Sequence, residues 1–185
     1  MLILASQSPR RREILQRAGI PFEVRVAGVP EEIQRGEAPV EYVTRLAAAK
    51  ASAVAGDLVL GADTVVVVDE HILEKPQDKE DAVRMLRILS GREHSVITGI
   101  CLRRGRTLRS ESVETRVRFV SLTEGEIRDY VESGEPMDKA GGYAIQGLAS
   151  KFIDRIEGDY FNVVGLPVQR VYAMLKDSRP EARPN

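Results

Sequence analysis

The chain has 185 residues, of which 43% are hydrophobic and 30% are charged, and its formal net charge is −1. This composition is typical of a globular protein, and the near-neutral charge argues against binding nucleic acid by phosphate neutralisation. No apolar stretch has the length of a membrane span, the first residues lack the basic region of a signal peptide, and the single cysteine, Cys101, excludes an internal disulfide. We therefore expect a cytoplasmic protein with no membrane or nucleic-acid partner, and a Cys101 buried on a strand.

Strand-like and helix-like segments alternate along the chain, which predicts a single α/β domain with a mixed sheet over residues 1–177 and a frayed tail over residues 178–185. The predicted strands cover residues 2–5, 22–27, 58–64, 65–68, 95–103, 107–119 and 152–156. The predicted helices begin near Pro9, run from Pro39 to Ala55, follow Asp78 and Thr123, and end with one whose apolar side includes Val171 and Tyr172. Both histidines, His71 and His94, lie near predicted turns without metal-site spacing, so we expect them on the surface.

Three arginines, Arg10, Arg11 and Arg12, fall on the first turn of the helix that follows the first strand. Since the helix dipole already makes this end positive, uncompensated cations there cost stability, whereas a bound anion relieves the conflict. The planar fork of arginine suits bidentate contact with phosphate. The pattern indicates a phosphate-bearing ligand, although taken alone it is more often a helix start whose side chains point into water.

Asp63 and Thr64 follow an apolar run at a predicted strand end, where the active sites of open α/β sheets gather. Asp63 is a candidate general base or metal ligand, and capping a turn is the alternative. Lys75 precedes a proline in a stiffened loop, and Lys50 lies on the inward side of the 39–55 helix, where a lysine needs a partner. Both are candidate phosphate contacts; the alternatives are a surface position for Lys75 and snorkelling to the rim for Lys50.

Residues 138–147 combine glycines, which permit close backbone approach to a ligand, with Gln146, whose amide can read the donor–acceptor edge of a base. The acidic loop 28–38 supplies carboxylates of the kind that hold a divalent metal. The sequence contains neither a Walker A motif nor a Gly-x-Gly-x-x-Gly pattern. Together with the cations and the strand-end aspartate, these segments predict a nucleotide hydrolase.

The chain closely resembles the Maf family of nucleoside triphosphate pyrophosphatases, in motifs that follow the family order over nearly the full length. These motifs are Leu4-Ala5-Ser6, Ser8-Pro9-Arg10-Arg11, Gly61-Ala62-Asp63-Thr64, Glu74-Lys75-Pro76, Leu89-Ser90-Gly91, Asp138-Lys139-Ala140-Gly141, Ile145-Gln146-Gly147 and Val164-Gly165-Leu166-Pro167. Each motif is weak alone, but jointly they are highly specific. The resemblance implies an elongated, two-lobed α/β fold of the Maf/ITPase-like type, with a mixed β-sheet and flanking helices, in a cytoplasmic and often homodimeric protein.

The resemblance also implies that the chain hydrolyses a nucleoside triphosphate between the α and β phosphates, with Mg²⁺ or Mn²⁺ as cofactor, giving a monophosphate and pyrophosphate. By the same resemblance Asp63 is the catalytic proton acceptor, and the implied metal ligands are Glu32 and Asp63. The implied phosphate contacts are Arg10, Arg11, Lys50 and Lys75. The implied specificity residues are Arg10, Thr64 and Gln146.

The family has a branch that prefers dTTP and UTP and another that acts on 7-methyl-GTP. The second tends to carry Gly-Ser-Asp-Gln at the strand end, Gly-Lys-Pro in the following loop and Ser-Glu-Gly in the late loop. This chain has Gly-Ala-Asp-Thr, Glu-Lys-Pro and Ile-Gln-Gly at those places, so it resembles the dTTP/UTP branch. The alternatives are the 7-methyl-GTP branch and a nucleotide-binding regulator of cell division, which the family's older association with septum formation suggests.

Overall fold

The computed structural model describes residues 1–26 and 28–178, so Ala27 and residues 179–185 of the predicted tail lie outside the described residues. The strands are β1 (Leu2–Leu4), β2 (Phe22–Val24), β3 (Leu58–Val68), β4 (His71–Leu73), β5 (Glu93–Arg104), β6 (Thr107–Phe119) and β7 (Ile153–Glu157). The helices are α1 (Pro9–Arg17), α2 (Pro39–Ala53), α3 (Lys79–Leu89), α4 (Glu124–Glu132), α5 (Tyr160–Val164) and α6 (Val168–Asp177). Short 3₁₀ turns cover Glu135–Asp138, Ala140–Gly142 and Leu148–Phe152.

Local signals placed most of these elements correctly. Ser8 caps α1 by accepting the backbone N–H of Arg11, and Asp78 and Thr123 cap α3 and α4 in the same way, because their side-chain oxygens satisfy donors that a helix start leaves unpaired. The prediction of two strands over 58–64 and 65–68 is wrong, since β3 is continuous and its β5 neighbour pairs across the supposed break. The second strand is shorter than predicted, and α5 was not predicted.

The sheet is mixed and leaves a gap beside its long strand β3. The strand order is β2-β1-β3-β5-β6-β7, with β1 parallel to its two neighbours and β4 added antiparallel to the end of β3. One edge of β3 pairs with β5 from Leu58 to Val67. The other edge pairs with β1 at residues 59–60 and with β4 at residues 66–68, and within the described part of the chain no strand covers residues 61–65.

Helix α2 packs directly on the sheet over two glycines. A Cβ atom on Gly61 would overlap the carbonyl oxygen of Ala47, and one on Gly99 would overlap that of Val43. Gly61 lies on β3 and Gly99 lies opposite Asp63 on β5, so the pair forms a side-chain-free bed beneath the helix. The close approach brings the last turns of α2 beside the uncovered edge of β3.

The apolar core is divided on either side of that gap. One part gathers around α1 and α6, and another gathers around α3 and α4, which agrees with the expected two-lobed mixed α/β fold. Cys101 is fully buried, as predicted, and His71 is exposed. In the described ranges 1–26 and 28–178, no helix has the length and apolar character needed to cross a membrane.

Two predictions of burial from the sequence are wrong, one in each direction. His94 is buried at 3% exposure, because it lies on the face of β5 that the rings of Phe119 and Tyr143 cover. Tyr172 was predicted on the inner side of α6 but is 52% exposed, because α6 buries Val171 and Met174 instead.

Candidate active site

A cleft of about 750 Å³ opens at the uncovered edge of β3. Because residues 61–65 have a strand neighbour on only one side, side chains from both faces of β3 reach this cleft. Every predicted site residue except Glu32 lines it. The residues that it brings together are Arg10, Arg11, Lys50, Asp63, Thr64, Lys75 and Gln146.

Lys50, Asp63 and Glu31 form a compact charged group on the α2 side of the cleft. Nζ of Lys50 lies 2.6 Å from Oδ1 of Asp63 and 2.6 Å from Oε1 of Glu31. Partial burial acts to raise the pKa of Glu31, but the hydrogen bond and charge of Lys50 outweigh it and hold that pKa below its usual value. The partner that an inward lysine requires is therefore this pair of carboxylates.

Of the two neighbouring glutamates in the loop 28–38, Glu31 lines the cleft and Glu32 does not. Both side chains are exposed to solvent, but Glu31 contacts Lys50, whereas the bond recorded for Glu32 within residues 1–26 and 28–178 is from Arg45 to its carbonyl oxygen at 2.9 Å. The structure places Glu31 beside Lys50 and Asp63, and the metal-ligand role of Glu32 stays a prediction. The loop 28–38 has no regular secondary structure, so no periodicity in the sequence indicates which of two adjacent glutamates turns inward.

Arg11 closes the floor of the cleft with its guanidinium. Its Nη1 donates to the carbonyl oxygen of Ala62 at 2.7 Å and to Oγ of Ser6 at 3.1 Å, and its Nε donates to the carbonyl oxygen of Gly165 at 2.8 Å. The Ala62 carbonyl lies on the stretch of β3 that lacks a strand neighbour, so Arg11 supplies the donor that a strand would have provided. With 8% exposure, this arginine primarily joins β1, β3 and the end of α5.

The hydroxyl of Thr64 belongs to the same hydrogen-bond network as the guanidinium of Arg11. Its Oγ1 accepts from Nη2 of Arg11 at 3.0 Å and lies 2.9 Å from Oγ1 of the fully buried Thr98. A hydrogen bond from Thr64 to a ligand would compete with these bonds. The geometry therefore favours a supporting part for Thr64 over direct recognition.

Two other cations remain available at the mouth of the cleft. Arg10 lies at the N-terminus of α1 and is paired with Asp138 across the cleft at 3.5 Å, a distance at which a phosphate competes readily for the guanidinium. Lys75 is exposed in the loop after β4. These two side chains and the start of α1 place positive charge at the mouth of the cleft, where the sequence predicts a phosphate site.

Gln146 stands on the opposite rim with its amide unengaged. The residue is exposed, and within residues 1–26 and 28–178 its side chain has no hydrogen-bond partner. Its neighbour Ile145 packs against the α1–α6 part of the core. The amide is consequently anchored by its backbone and presented to whatever enters the cleft.

Sequence reasoning missed Tyr42, which organises the acidic side of the cleft. Its hydroxyl lies 3.0 Å from Oε1 of Glu74 and 3.1 Å from the carbonyl oxygen of Glu31. Burial raises its pKa, and Glu74 raises it further, so the hydroxyl stays protonated. Tyr42 falls in phase with the buried Leu46 on α2, so the apolar pattern concealed its polar end.

The carboxylates fit a divalent cation only if the ligand supplies the remaining oxygens. Within the described ranges no three His, Cys, Asp or Glu side chains are grouped as a metal site. Asp63 and Glu31 each give one oxygen to Lys50, and each retains a second. This donor set suits Mg²⁺, which is commonly held by one or two carboxylates together with substrate phosphates.

Comparison with known proteins is consistent with this geometry. A family model described as Maf-like protein matches residues 1–178. A dTTP/UTP pyrophosphatase of Koribacter versatilis (strain Ellin345) is 54% identical over 179 residues, covering 95% of this chain and 93% of that protein. A dTTP/UTP pyrophosphatase of Symbiobacterium thermophilum is 53% identical, covering 94% and 92% respectively. Among solved structures, the Staphylococcus aureus Ham1 protein has a TM-score of 0.56 at 12% identity, covering 96% of this chain and 99% of that one, which shows a shared fold.

Proposed function

The chain belongs to the Maf family, and we propose that its cleft hydrolyses dTTP and UTP to the nucleoside monophosphate and pyrophosphate. Relatives at about half identity over nearly the whole chain carry that activity in their names. The observation that carries the proposal is one cleft that contains the carboxylate of Asp63, the cationic side chains at its mouth and the unengaged amide of Gln146.

Asp63 is the group that would accept a proton from the attacking water. As the water oxygen bonds to the α-phosphorus, the bond from that phosphorus to the bridging oxygen breaks and pyrophosphate leaves with the electron pair. Lys50 orients Asp63 and keeps its charge balanced, and Glu31 shares the lysine. Tyr42 supports the two acidic segments from beneath.

Arg10 and Lys75 would take the β and γ phosphates. Exchanging Asp138 for a phosphate keeps Arg10 paired, so the cation stabilises charge that accumulates on the leaving pyrophosphate. A divalent cation, Mg²⁺ or Mn²⁺, held by Asp63 and Glu31 with the phosphates, would neutralise further charge and acidify the water. Arg11 and Thr64 would act from below, by fixing the Ala62–Thr64 backbone.

Gln146 would recognise the pyrimidine. Its amide offers a donor and an acceptor, which match the O4 and N3–H edge shared by uracil and thymine. Cytosine presents the donor and the acceptor of this edge in the reverse order, so the amide orientation that pairs with uracil would leave polar groups unpaired against cytosine. This pairing accounts for a preference that covers both dTTP and UTP.

The proposal is tested by incubating the protein with Mg²⁺ or Mn²⁺ and dTTP, UTP, CTP, GTP or 7-methyl-GTP, and resolving the products. Pyrophosphate and monophosphate should form from dTTP and UTP. Cleavage of 7-methyl-GTP alone would place the chain in the other branch, and tight binding without cleavage would favour a regulator. The expected homodimer and cytoplasmic location stay predictions.

A further inference from the structure

The loop that carries Gln146 is held by a tyrosine and a carboxylate that lie outside the cleft. The hydroxyl of Tyr130, on α4, donates to Oε1 of Glu135 at 2.9 Å and accepts the backbone N–H of Ala144 at 3.3 Å. Oε2 of Glu135 accepts the backbone N–H of Leu148 at 3.0 Å. We call this pair the Tyr130–Glu135 clamp. It fixes one backbone amide two residues before Gln146 and another two residues after it.

Tyr130 anchors the clamp in the core, and Glu135 is partly exposed. Tyr130 is 3% exposed, and its ring meets that of Phe152 edge-on at 5.5 Å. Burial raises the pKa of Tyr130, and Glu135 raises it further, so the hydroxyl remains a donor. At Gly147 a Cβ atom would overlap the Glu135 carboxylate, so the loop and the carboxylate are in direct contact.

Because its side chain has no partner within the described residues, Gln146 can be oriented only through its backbone. The turn that displays it is closed by the Gly147 N–H, which donates to the Ala144 carbonyl oxygen at 3.1 Å. Both ends of that turn depend on the clamp. A small displacement of the turn moves the amide off the base edge, while Asp63 and the cations stay where they are.

We propose that the Tyr130–Glu135 clamp is a positioning device for base discrimination. The inference rests on the proposed hydrolysis of pyrimidine nucleoside triphosphates. Tyr130 and Glu135 touch no substrate; they set the place from which Gln146 reads the base. Their loss should therefore weaken the choice among bases more than it weakens the chemistry at the α-phosphorus.

The test measures kcat/KM for UTP and for CTP in the full-length protein and in Tyr130→Phe, which keeps the ring and removes the hydroxyl. The ratio of the two values should fall by roughly threefold to tenfold, which is the worth of one hydrogen bond, with most of the change in KM for UTP. Gln146→Ala should lower the ratio of kcat/KM for UTP to kcat/KM for CTP at least as much as Tyr130→Phe does. The matched control is Tyr172→Phe, which removes the hydroxyl of an exposed tyrosine and should leave the ratio unchanged.

A second pair of variants keeps the test independent of Tyr130. Glu135→Ala removes the acceptor for Leu148 and should narrow the ratio as Tyr130→Phe does, whereas Glu135→Gln retains an acceptor oxygen and should restore most of it. An equal loss for UTP and CTP, or a lower Tm with an unchanged ratio, would overturn the inference. Calorimetry in the presence of EDTA measures the dissociation constants for UTP and CTP without turnover. Their ratio should change in these variants in the same direction as the ratio of kcat/KM values.

Failure of the proposed function gives a different result. If the unaltered protein releases no pyrophosphate from UTP and binds UTP and CTP equally, the proposed function is wrong. The inference about the clamp, which rests on that function, is then rejected as well. If the unaltered protein prefers UTP and the clamp variants keep that preference, only the clamp is rejected. Preference in the unaltered protein that is lost in Tyr130→Phe and Glu135→Ala supports both.

Discussion

The ammonium of Lys50 and the carboxylate of Asp63 face each other at 2.6 Å across the contact between α2 and β3. Both side chains are largely buried, at 13% and 12% exposure. The ammonium also lies 2.6 Å from Oε1 of Glu31, so one cation pairs with two carboxylates. The charged group of the cleft is therefore set by the packing of a helix on a sheet, and not by a surface loop alone.

Replacing Asp63 with asparagine tests the proposed base. Asp63→Asn keeps the shape of the side chain but cannot accept a proton from water, so kcat for UTP should fall by roughly a hundredfold or more. The readout is pyrophosphate release, with unchanged UTP affinity and Tm showing that the protein is folded. Asp57→Asn, on an exposed loop, is the matched control. Turnover within about twofold of the original would remove Asp63 from this role.

Replacing Lys50 with methionine removes the charge that the two carboxylates share. Since Lys50 lowers the pKa of Glu31, that pKa should rise in Lys50→Met, and the acid limb of the kcat/KM profile should move to higher pH. At neutral pH we expect a loss of roughly a hundredfold, because the proposed base is no longer oriented. Lys176→Met, exposed on α6, serves for comparison. An acid limb that does not move would contradict the shared-cation arrangement.

The adjacent residues Glu31 and Glu32 provide a matched pair of variants that tests which glutamate acts in the cleft. Glu31→Gln should lower kcat/KM by roughly tenfold to a hundredfold and raise the Mg²⁺ concentration needed for half-maximal rate, because Glu31 lines the cleft. Glu32→Gln should change neither, since Glu32 does not line the cleft and the ion pair of Lys50 is with Glu31. The measurement is a Mg²⁺ titration of the initial rate. The reverse ranking would reinstate Glu32 as the acidic site residue.

Arg11→Lys tests the floor of the cleft. A lysine carries a single ammonium in place of the planar fork, so it cannot serve the Ala62 and Gly165 carbonyls and the Thr64 hydroxyl together. Leaving a buried acceptor unpaired costs about 1–3 kcal/mol, which for a chain of this size lowers Tm by roughly 2–10 °C. Arg12→Lys, exposed on the same helix turn, should leave Tm within about 1 °C. An unaltered Tm in Arg11→Lys would refute the structural role.

His94 makes stability depend on pH. Burial lowers its pKa from 6.5 to about 4, so as the pH falls the unfolded chain takes up the proton first. Stability from this residue is intact above pH 6.5 and is lost between 6.5 and about 4, amounting to roughly 3 kcal/mol at 1.36 kcal/mol per pH unit. Urea unfolding at pH 7 and pH 5 should show the loss in the original protein and in His71→Gln, but much less of it in His94→Gln. Equal losses in both variants would assign the effect to other groups.

Sequence patterns predicted the parts of the site that depend on local chemistry. The α1 start followed from the capping oxygen of Ser8 and the fixed backbone of Pro9, and the inward Lys50 followed from its phase with Leu46 on α2. These features are decided within a few residues of the chain.

Features that depend on distant segments could not be predicted in this way. Whether Glu31 or Glu32 turns inward is decided by Lys50, on another element, and the burial of His94 is decided by Tyr143, whose hydroxyl lies 2.8 Å from its Nε2. The continuity of β3 through Asp63 is decided by its pairing with β5. Helix α5 has five residues, too few to show a helical period.

Because α2 packs on the bed formed by Gly61 and Gly99, activity should be sensitive to substitution at two positions whose residues have no side chain. Even an alanine at Gly61 would push against the backbone of Ala47 and lift the last turns of α2, carrying Lys50 away from Asp63. In a saturation-mutagenesis map of activity, both glycines should therefore be as intolerant as the charged residues above them. Some positions that such a map would score as catalytic are therefore glycines whose missing side chains let a helix pack against the sheet.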